Sequence, residues 1–338
     1  MTARPRWVFA LALLLAAPGA EAASFDCKKA TRPEEKLVCS DPELSRLDEA
    51  LAKAYLAGRQ KLGGSARESV QVAQRSWLGW WPRACSTGRK GVKLGRDAVA
   101  CARREYEERL KAVQVTTGLD GRFTVYGVAS YSLLEASPEA SGVLFAQHAW
   151  VHPRIDLAGL SGADVDLAGK VNAWLTPVPA SVEETMKDRE STTSTSTVLG
   201  KVTPNILGAF TTTEFYALGA AHPMDGSGAA YFDVARLRPL TAGDVFTGTQ
   251  WVTVLADGAL AQLRAALDDG LLVEKAADLH EMVKRPGSWI FKPQGLELDF
   301  GVDEVAPYAA GPQSATIPWA SLRAFLTDFG RAEVASLK

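Results

Sequence analysis

Apolar residues recur at helical spacing through the first third of the chain, and the rhythm then changes. Leu44, Leu47, Leu51, Tyr55 and Leu62 fall on one stripe; so do Val70, Ala73, Trp77 and Trp80 or Trp81, and later Val99, Ala102, Tyr106, Leu110 and Val113. Positions three and four apart share a helix face, so each set predicts an amphipathic helix. Three helix starts accompany them: Thr31-Arg32-Pro33-Glu34, Ser40-Asp41-Pro42-Glu43 and Ser65-Ala66-Arg67-Glu68. Each fits the box in which a hydroxyl takes a free backbone N–H and a glutamate three residues on reaches back to another. In the first two a proline falls in the first turn, where its missing N–H costs nothing. Pro82 is expected to end the second long helix. Residues 23–115 therefore read as a small all-α domain. Below ~100 residues such a core is marginal by itself, and covalent staples help.

From residue 120 onward the period drops toward two. Phe123–Leu134, Val143–Trp150, Glu214–Leu218, Tyr231–Val234 and Leu296–Val302 alternate apolar and polar positions, which predicts half-buried strands. Asp120-Gly121, Asp225-Gly226-Ser227-Gly228 and the chain from Pro239 carry turn chemistry. Helical stretches fall at Ala168–Leu175, Gln250–Leu267 and Pro318–Phe329. The low-complexity run Ser191–Thr197 is rich in β-branched residues and reads as an edge strand. Residues 120–338 are thus expected to form an α+β domain rather than a βαβ array, and the whole chain is multidomain.

The N-terminus changes the compartment. Arg4 and Arg6, the apolar run Val8–Ala17 and the small residues of Ala20-Glu21-Ala22 form a signal peptide over residues 1–22. Its apolar run is about half the ~20 residues that span a bilayer, so no transmembrane anchor is expected. Cys27 lacks the small apolar residues that precede a lipid-attachment cysteine, and a cleaved, soluble, periplasmic or secreted product follows. In an oxidising compartment the four cysteines, Cys27, Cys39, Cys85 and Cys101, read as two disulfides. Three pairings are possible. Cys27–Cys39 and Cys85–Cys101 are favoured because each closes a short loop, and those separations are far from the C-x2-C spacing of a zinc site.

Charge is divided between the halves. Residues 23–119 hold 19 Lys and Arg against 12 Asp and Glu, and residues 120–338 hold 16 against 26. Either the halves dock on each other or each faces a different target. Nucleic acid is not an expected partner outside the cytoplasm. The chemistry-bearing residues form no catalytic constellation: there is no G-x-S-x-G elbow, no phosphate loop and no unpaired thiol to act as nucleophile. His148 and His152 have metal-ligand spacing for a helix, but their segment is strand-like and Pro153 follows. No cofactor, no metal and no enzymatic role are expected. The abundance of Asp and Glu alone leaves a two-carboxylate glycosidase open.

Phe25-Asp26-Cys27, Glu35-Lys36-Leu37-Val38-Cys39, Leu44 with Leu47-Asp48, Tyr55, Gln74-Arg75-Ser76-Trp77, Cys85, and Cys101 with Tyr106 and Arg109 resemble the N-terminal domain family of the lysozyme inhibitor LprI. One departure is visible in Trp81-Pro82-Arg83-Ala84-Cys85, where relatives often place an acid before the cysteine. Farther on, Gly219-Ala220-Ala221-His222-Pro223, Tyr231-Phe232-Asp233-Val234, Leu240–Phe246 and Pro307–Pro312 with Ile317-Pro318 resemble the C-terminal domain of RsiV-type anti-sigma factors, found also beside the catalytic unit of some peptidoglycan deacetylases. In RsiV that domain is the lysozyme receptor, so both resemblances imply a lysozyme-type muramidase as partner. An acidic surface suits a basic partner of that kind. The candidate contacts are His222, Pro223, Asp225, Asp299, Asp303, Glu304 and Tyr308, with a turn at His222–Asp225 presenting an apolar tip and a carboxylate. Asp48, Gln74 and Trp77 form a second candidate face on the helical domain, against the plainer reading of Trp77 as core and Asp48 as solvated near Arg46. The alternative function is a module that binds peptidoglycan directly and maintains the envelope without catalysis.

Overall fold

The computed structural model describes residues 23–88, 91–119, 121–137, 143–176, 179–267 and 270–337. The leader read over residues 1–22 lies outside them. Pro33–Ser40 (α1), Pro42–Lys61 (α2), Gly64–Ala84 (α3) and Ala98–Ala112 (α4) make the helical unit. Its core is Leu44, Leu47, Leu51, Trp77, Trp81, Ala102 and Tyr106. Cys27–Cys39 ties the N-terminal turn to α1, and Cys85–Cys101 ties the end of α3 to α4; the pairing is the short-loop one.

The helices start one residue off the predicted boxes or more. Asp41, not Ser40, caps α2 by accepting the Leu44 N–H at 2.9 Å, and Glu35, not Glu34, reaches back to the N–H groups of Thr31 and Arg32. Proline fixes this register. It sits best at the first helical position, so the residue immediately before it becomes the cap. α3 is capped by Gly63, whose N–H donates to Asp156 at 2.6 Å, a residue of the following domain. Pro82 does not end α3, because the Cys85 N–H still reaches Trp81 O at 3.0 Å and the disulfide holds that last turn in place.

The second domain is built on a seven-stranded sheet in sequence order: Thr116–Gly118 (β1), Phe123–Glu135 (β2), Phe145–Ile155 (β3), Ser191–Lys201 (β4), Ile206–Ala217 (β5), Met224–Asp233 (β6) and Arg238–Pro239 (β7). Every pairing is antiparallel except β3 with β4, which is parallel and spans His148–Val151 against Thr193–Ser196. Two helices lie between β3 and β4: Ala163–Leu175 (α5) and Pro179–Lys187 (α6). Where β3 and β4 part, α5 takes the place of a strand. The Asn172 amide accepts the Ile155 N–H at 2.8 Å and donates to Ile155 O at 2.9 Å.

Ser191–Thr197 is central, which corrects the edge-strand expectation. Ser191, Thr193 and Thr195 are buried, and the hydroxyls satisfy one another across the ladder, Thr195 with Thr213 at 3.2 Å and Thr197 with Thr211 at 2.8 Å. β-branched side chains with mutually bonded hydroxyls suit an interior strand as well as an edge. Asp225-Gly226-Ser227-Gly228 is not a turn either; it pairs with Glu214–Thr211 inside β6. Composition gave a turn signal, and the long β5 ladder overrode it.

The rest of the domain is Ala242–Val245 (α7), Gln250–Leu267 (α8), His280–Val283 (α9), a second antiparallel sheet of Trp289–Lys292 (β8), Gly295–Phe300 (β9) and Gln313–Pro318 (β10), then Trp319–Leu322 (α10) and Asp328–Ala335 (α11). The helix expected over Pro318–Phe329 is broken into short pieces, since Leu326 and Thr327 are extended before Thr327 caps α11. The apolar face of α8 packs with Trp289, Leu296, Leu298 and Phe300 and meets the large sheet at Ile206 and Tyr231.

The two domains dock. β1 covers only Phe123–Val125 of β2, and the helical unit covers the rest of that edge. Trp80 Nε1 donates to Ser132 O at 2.9 Å, and Gln147 Nε2 donates to Ala84 O at 3.0 Å. A side chain at Gly127 would place its Cβ 2.5 Å from Ala112 O, so glycine is what lets α4 end against the strand. An uncovered strand edge invites foreign pairing, and the helical unit removes that liability at β2.

Candidate functional site: the acidic edge of β6

The opposite edge of the sheet is open. Met224, Asp225, Gly226, Ser227 and Gly228 are all exposed, and β7 pairs only with Phe232 and Asp233. Gly219, at φ 94°, turns the chain out of β5, and Tyr216 Oη holds that turn by donating to Ala220 O at 2.9 Å. His222 and Pro223 follow and are clasped from a distant loop. Tyr308 stacks on the His222 ring at 4.2 Å with planes 20° apart, and its hydroxyl donates to Pro223 O at 2.6 Å. On the strand itself, Asp225 stands directly opposite Glu214, and the Ser227 hydroxyl donates to Asp299 of β9 at 2.8 Å. His222, Pro223, Asp225, Asp299 and Tyr308, separated by up to 86 positions in sequence, thus gather along one edge.

Asp303 and Glu304 belong to the turn after β9. Asp303 is exposed in a left-handed conformation (φ 60°), while Glu304 is half-buried, accepting the Gly301 N–H at 2.8 Å and pairing with Arg285 at 3.0 Å. Glu304 therefore fixes a turn before it can offer charge to a partner. The sequence did not single out Glu214 or Ser227. Neither belongs to a motif, and only the β5–β6 register puts them beside Asp225 and Asp299.

Of the second candidate face, Trp77 is buried while Asp48 and Gln74 are half-buried. Trp77 is 1% exposed and meets Tyr106 edge-on at 4.9 Å, so it is core and not a contact. Asp48 accepts the Ser24 N–H at 2.7 Å and the Tyr106 hydroxyl at 3.1 Å, while Arg46 pairs with Glu43 rather than with Asp48. Burial, with the Asp48 charge beside it, pushes the Tyr106 hydroxyl pKa far up and keeps it a donor. Gln74 Oε1 accepts Nε of Arg109 at 2.9 Å; Arg109 is itself 2% exposed, and its guanidinium bonds the Tyr131 hydroxyl from β2 at 3.3 Å. This group is the junction of the two domains.

His148 and His152 lie on strand β3, as the sequence indicated. His148 is buried with Nε2 against Asp188 O at 2.8 Å; burial, aided by Arg154, holds His152 down to about 4. Among the described residues no three His, Cys, Asp or Glu side chains are grouped to hold a metal ion, and no helix is long and apolar enough to cross a membrane. A cavity of about 470 Å³ opens at the start of α8, lined by Thr249, Trp251, His280 and Lys284. None of the predicted contact residues lines it.

Residues 27–113 match the family described as lysozyme inhibitor LprI. Residues 243–320 match a family described as a protein of unknown function, DUF3298. A solved DUF3298 family member from Bacteroides fragilis is similar at 17% identity over 64% of this chain and 98% of its own, with a TM-score of 0.48. Another from Pseudomonas aeruginosa is similar at 18% identity over 63% and 98%, with a TM-score of 0.41. No curated protein matches the chain.

Proposed function

We propose that this is an exported envelope protein that binds a lysozyme-type muramidase and inhibits it by occluding its cleft, without catalysis of its own. The match of residues 27–113 to a lysozyme-inhibitor family carries the reading. Two disulfides suit an oxidising compartment and support export. The resemblance of the His222-Pro223 and Pro307–Pro312 segments to RsiV-type domains points to the same partner, and the structure supplies a surface suited to it. There Asp225, and Asp299 bonded to Ser227, follow a tip of His222 and Pro223 that Tyr308 clasps, and Asp303 adds an exposed carboxylate beyond β9. An acidic surface speeds capture of a basic enzyme and sets its orientation. The packed His–Tyr clasp spares the tip the ordering cost that a loose loop would carry.

Calorimetric titration of the full chain with c-type lysozyme, alongside a cell-wall lysis assay, tests the proposal. Saturable binding with loss of lysis is expected, weakening steeply as salt is raised. Absence of binding at low salt to every lysozyme class would end it.

A further inference from the structure

The open edge of β6 carries a row of unused backbone groups. The Leu240 N–H donates to Tyr231 O at 2.9 Å from the β7 side, so odd-numbered residues of β6 turn their N–H and C=O groups away from β5. The β5–β6 register is unbroken from Met224 to Asp233, which carries that orientation back to Ser227 and Asp225. Pro286–Ser288 closes the row at Ala229, whose carbonyl lies 3.1 Å from the place a Cβ on Gly287 would occupy. Tyr308 closes it at Pro223. Between these stops no described residue bonds the outward backbone of Asp225 or Ser227.

The side chains of this window are sorted by face. Asp225, Glu214 across from it, and Ser227 with Asp299 share one face. Glu214 and Asp225 form a pair whose backbone groups point outward from the ladder, the kind with the closer side chains. Like charges directly opposite each other destabilise a sheet, and no cation pairs with either carboxylate among the described residues. The other face presents Gly226 and Gly228; a Cβ at Gly228 meets nothing within 4 Å.

We propose that Asp225–Gly228 is a strand-addition site for an extended basic segment of a partner protein. The segment would pair with the outward N–H and C=O groups of Asp225 and Ser227, as edge-binding peptides do. Its alternate residues would set Arg or Lys against Asp225, Glu214 and Asp299, and bulky side chains over the two glycines. A second copy of this chain is disfavoured as occupant, because its own Asp225 would enter an already acidic row. The inference goes beyond the muramidase reading: it specifies an extended segment, and that segment need not come from a muramidase.

The test uses the full chain and a capped pentapeptide alternating arginine and tyrosine, followed by calorimetry and by amide hydrogen exchange at Asp225 and Ser227. Saturable binding with slowed exchange at those two amides is expected. N-methylation of the peptide backbone at the ladder positions keeps all its charge and should weaken binding about tenfold or more. The D225N/E214Q double variant, which relieves a repulsion and should fold, is expected to lose about as much. Ser227→Pro removes an outward N–H together with the hydroxyl bonded to Asp299 and should block addition, whereas Ser227→Ala, which loses the hydroxyl alone, should still bind the peptide. Equal affinity for the methylated peptide would overturn the proposal in favour of plain charge attraction, and absence of saturable binding would overturn it outright. Peptide binding by a chain that ignores lysozyme would leave this inference standing and remove the muramidase reading; lysozyme binding unchanged in D225N/E214Q, with the peptide ignored, would do the reverse.

Discussion

Replacing Arg109 should uncouple the helical unit from the sheet. Its guanidinium is 2% exposed, bonded to Gln74 Oε1 at 2.9 Å and to the Tyr131 hydroxyl at 3.3 Å, with the Tyr131 ring 5.9 Å away. Arg109→Ala removes two buried methylenes, Cγ and Cδ, worth about 0.8 kcal/mol each. It also strands Gln74 Oε1, at a further ~1–3 kcal/mol. Against this stands the relief of a desolvated cation with no carboxylate in its bonds, which returns part of the loss. The net is a destabilisation of about 2–4 kcal/mol, the difference between those terms. Arg109→Met keeps the stem and drops the charge, so it should cost only about half as much. Arg109→Lys should not rescue, because an ammonium cannot reproduce the planar fork that reaches Gln74 and Tyr131 together. Urea unfolding followed by circular dichroism and by tryptophan fluorescence separates the outcomes. Tyr131 and Leu133 of β2 belong to the helical core, so the native chain should unfold in one transition. The Arg109→Ala chain should lose its helical signal first, at lower urea. A single transition shifted by less than about 1 kcal/mol would refute the view that this buried cation joins the two domains.

Three further outcomes are expected. Replacing Cys85 and Cys101 together by serine reopens a loop with a sequence separation of 16 and should cost about 3 kcal/mol in the same urea assay. Burial works against the charge of Asp244, but bonds from Arg238 and Thr241 outweigh it and hold the carboxyl at about 2; its contribution is full above the unfolded value near 4, is lost as pH falls toward 2, and should vanish from the acid-denaturation profile of Asp244→Asn. For His152, held at about 4, the unfolded chain takes up the proton first as pH drops below about 6.5, so stability should decline between pH 6.5 and 4, and His152→Phe should flatten that stretch of the melting-temperature profile.

Much of this architecture was legible because its signals are local. Helical stripes, a change of period near residue 120 and cysteines confined to one unit each report on a few neighbouring residues, and each corresponds to an element observed. What misled was the step from local chemistry to position in the sheet. Ser191–Thr197 and Asp225–Gly228 have the composition of an edge and a turn, yet β5 runs for Ile206–Ala217 and pairs with both; ladder length decided where propensity is weak. Trp77 and Gln74 carried a motif, but a motif does not say whether a side chain faces solvent or a second domain. Conversely, the cluster at β6 was partly foreseen through His222, Pro223 and Tyr308, while Glu214 became visible only with the register.

The division of charge between the halves has a physical outcome that sequence left open. The units do dock, but not by pairing their opposite charges: the bonds across the junction run through Trp80 to a carbonyl, Gln147 to a carbonyl, Arg109 to a phenol, and Asp156 to a backbone N–H. Ion pairs such as Arg103–Asp41 and Lys111–Glu108 stay within the basic unit, and Arg238–Asp244 and Arg285–Glu304 within the acidic one. Among the described residues no ion pair crosses the junction, so docking does not cancel the two charges against each other. The helical unit lies against the β2 edge, and the carboxylates Glu214, Asp225 and Asp299 lie along Asp225–Gly228, the open stretch of the opposite edge. Edge exposure and charge therefore coincide at one place. A basic partner steered there by charge would find unpaired backbone on arrival, whereas an acidic strand, including a second copy of β6, would be turned away by the same carboxylates.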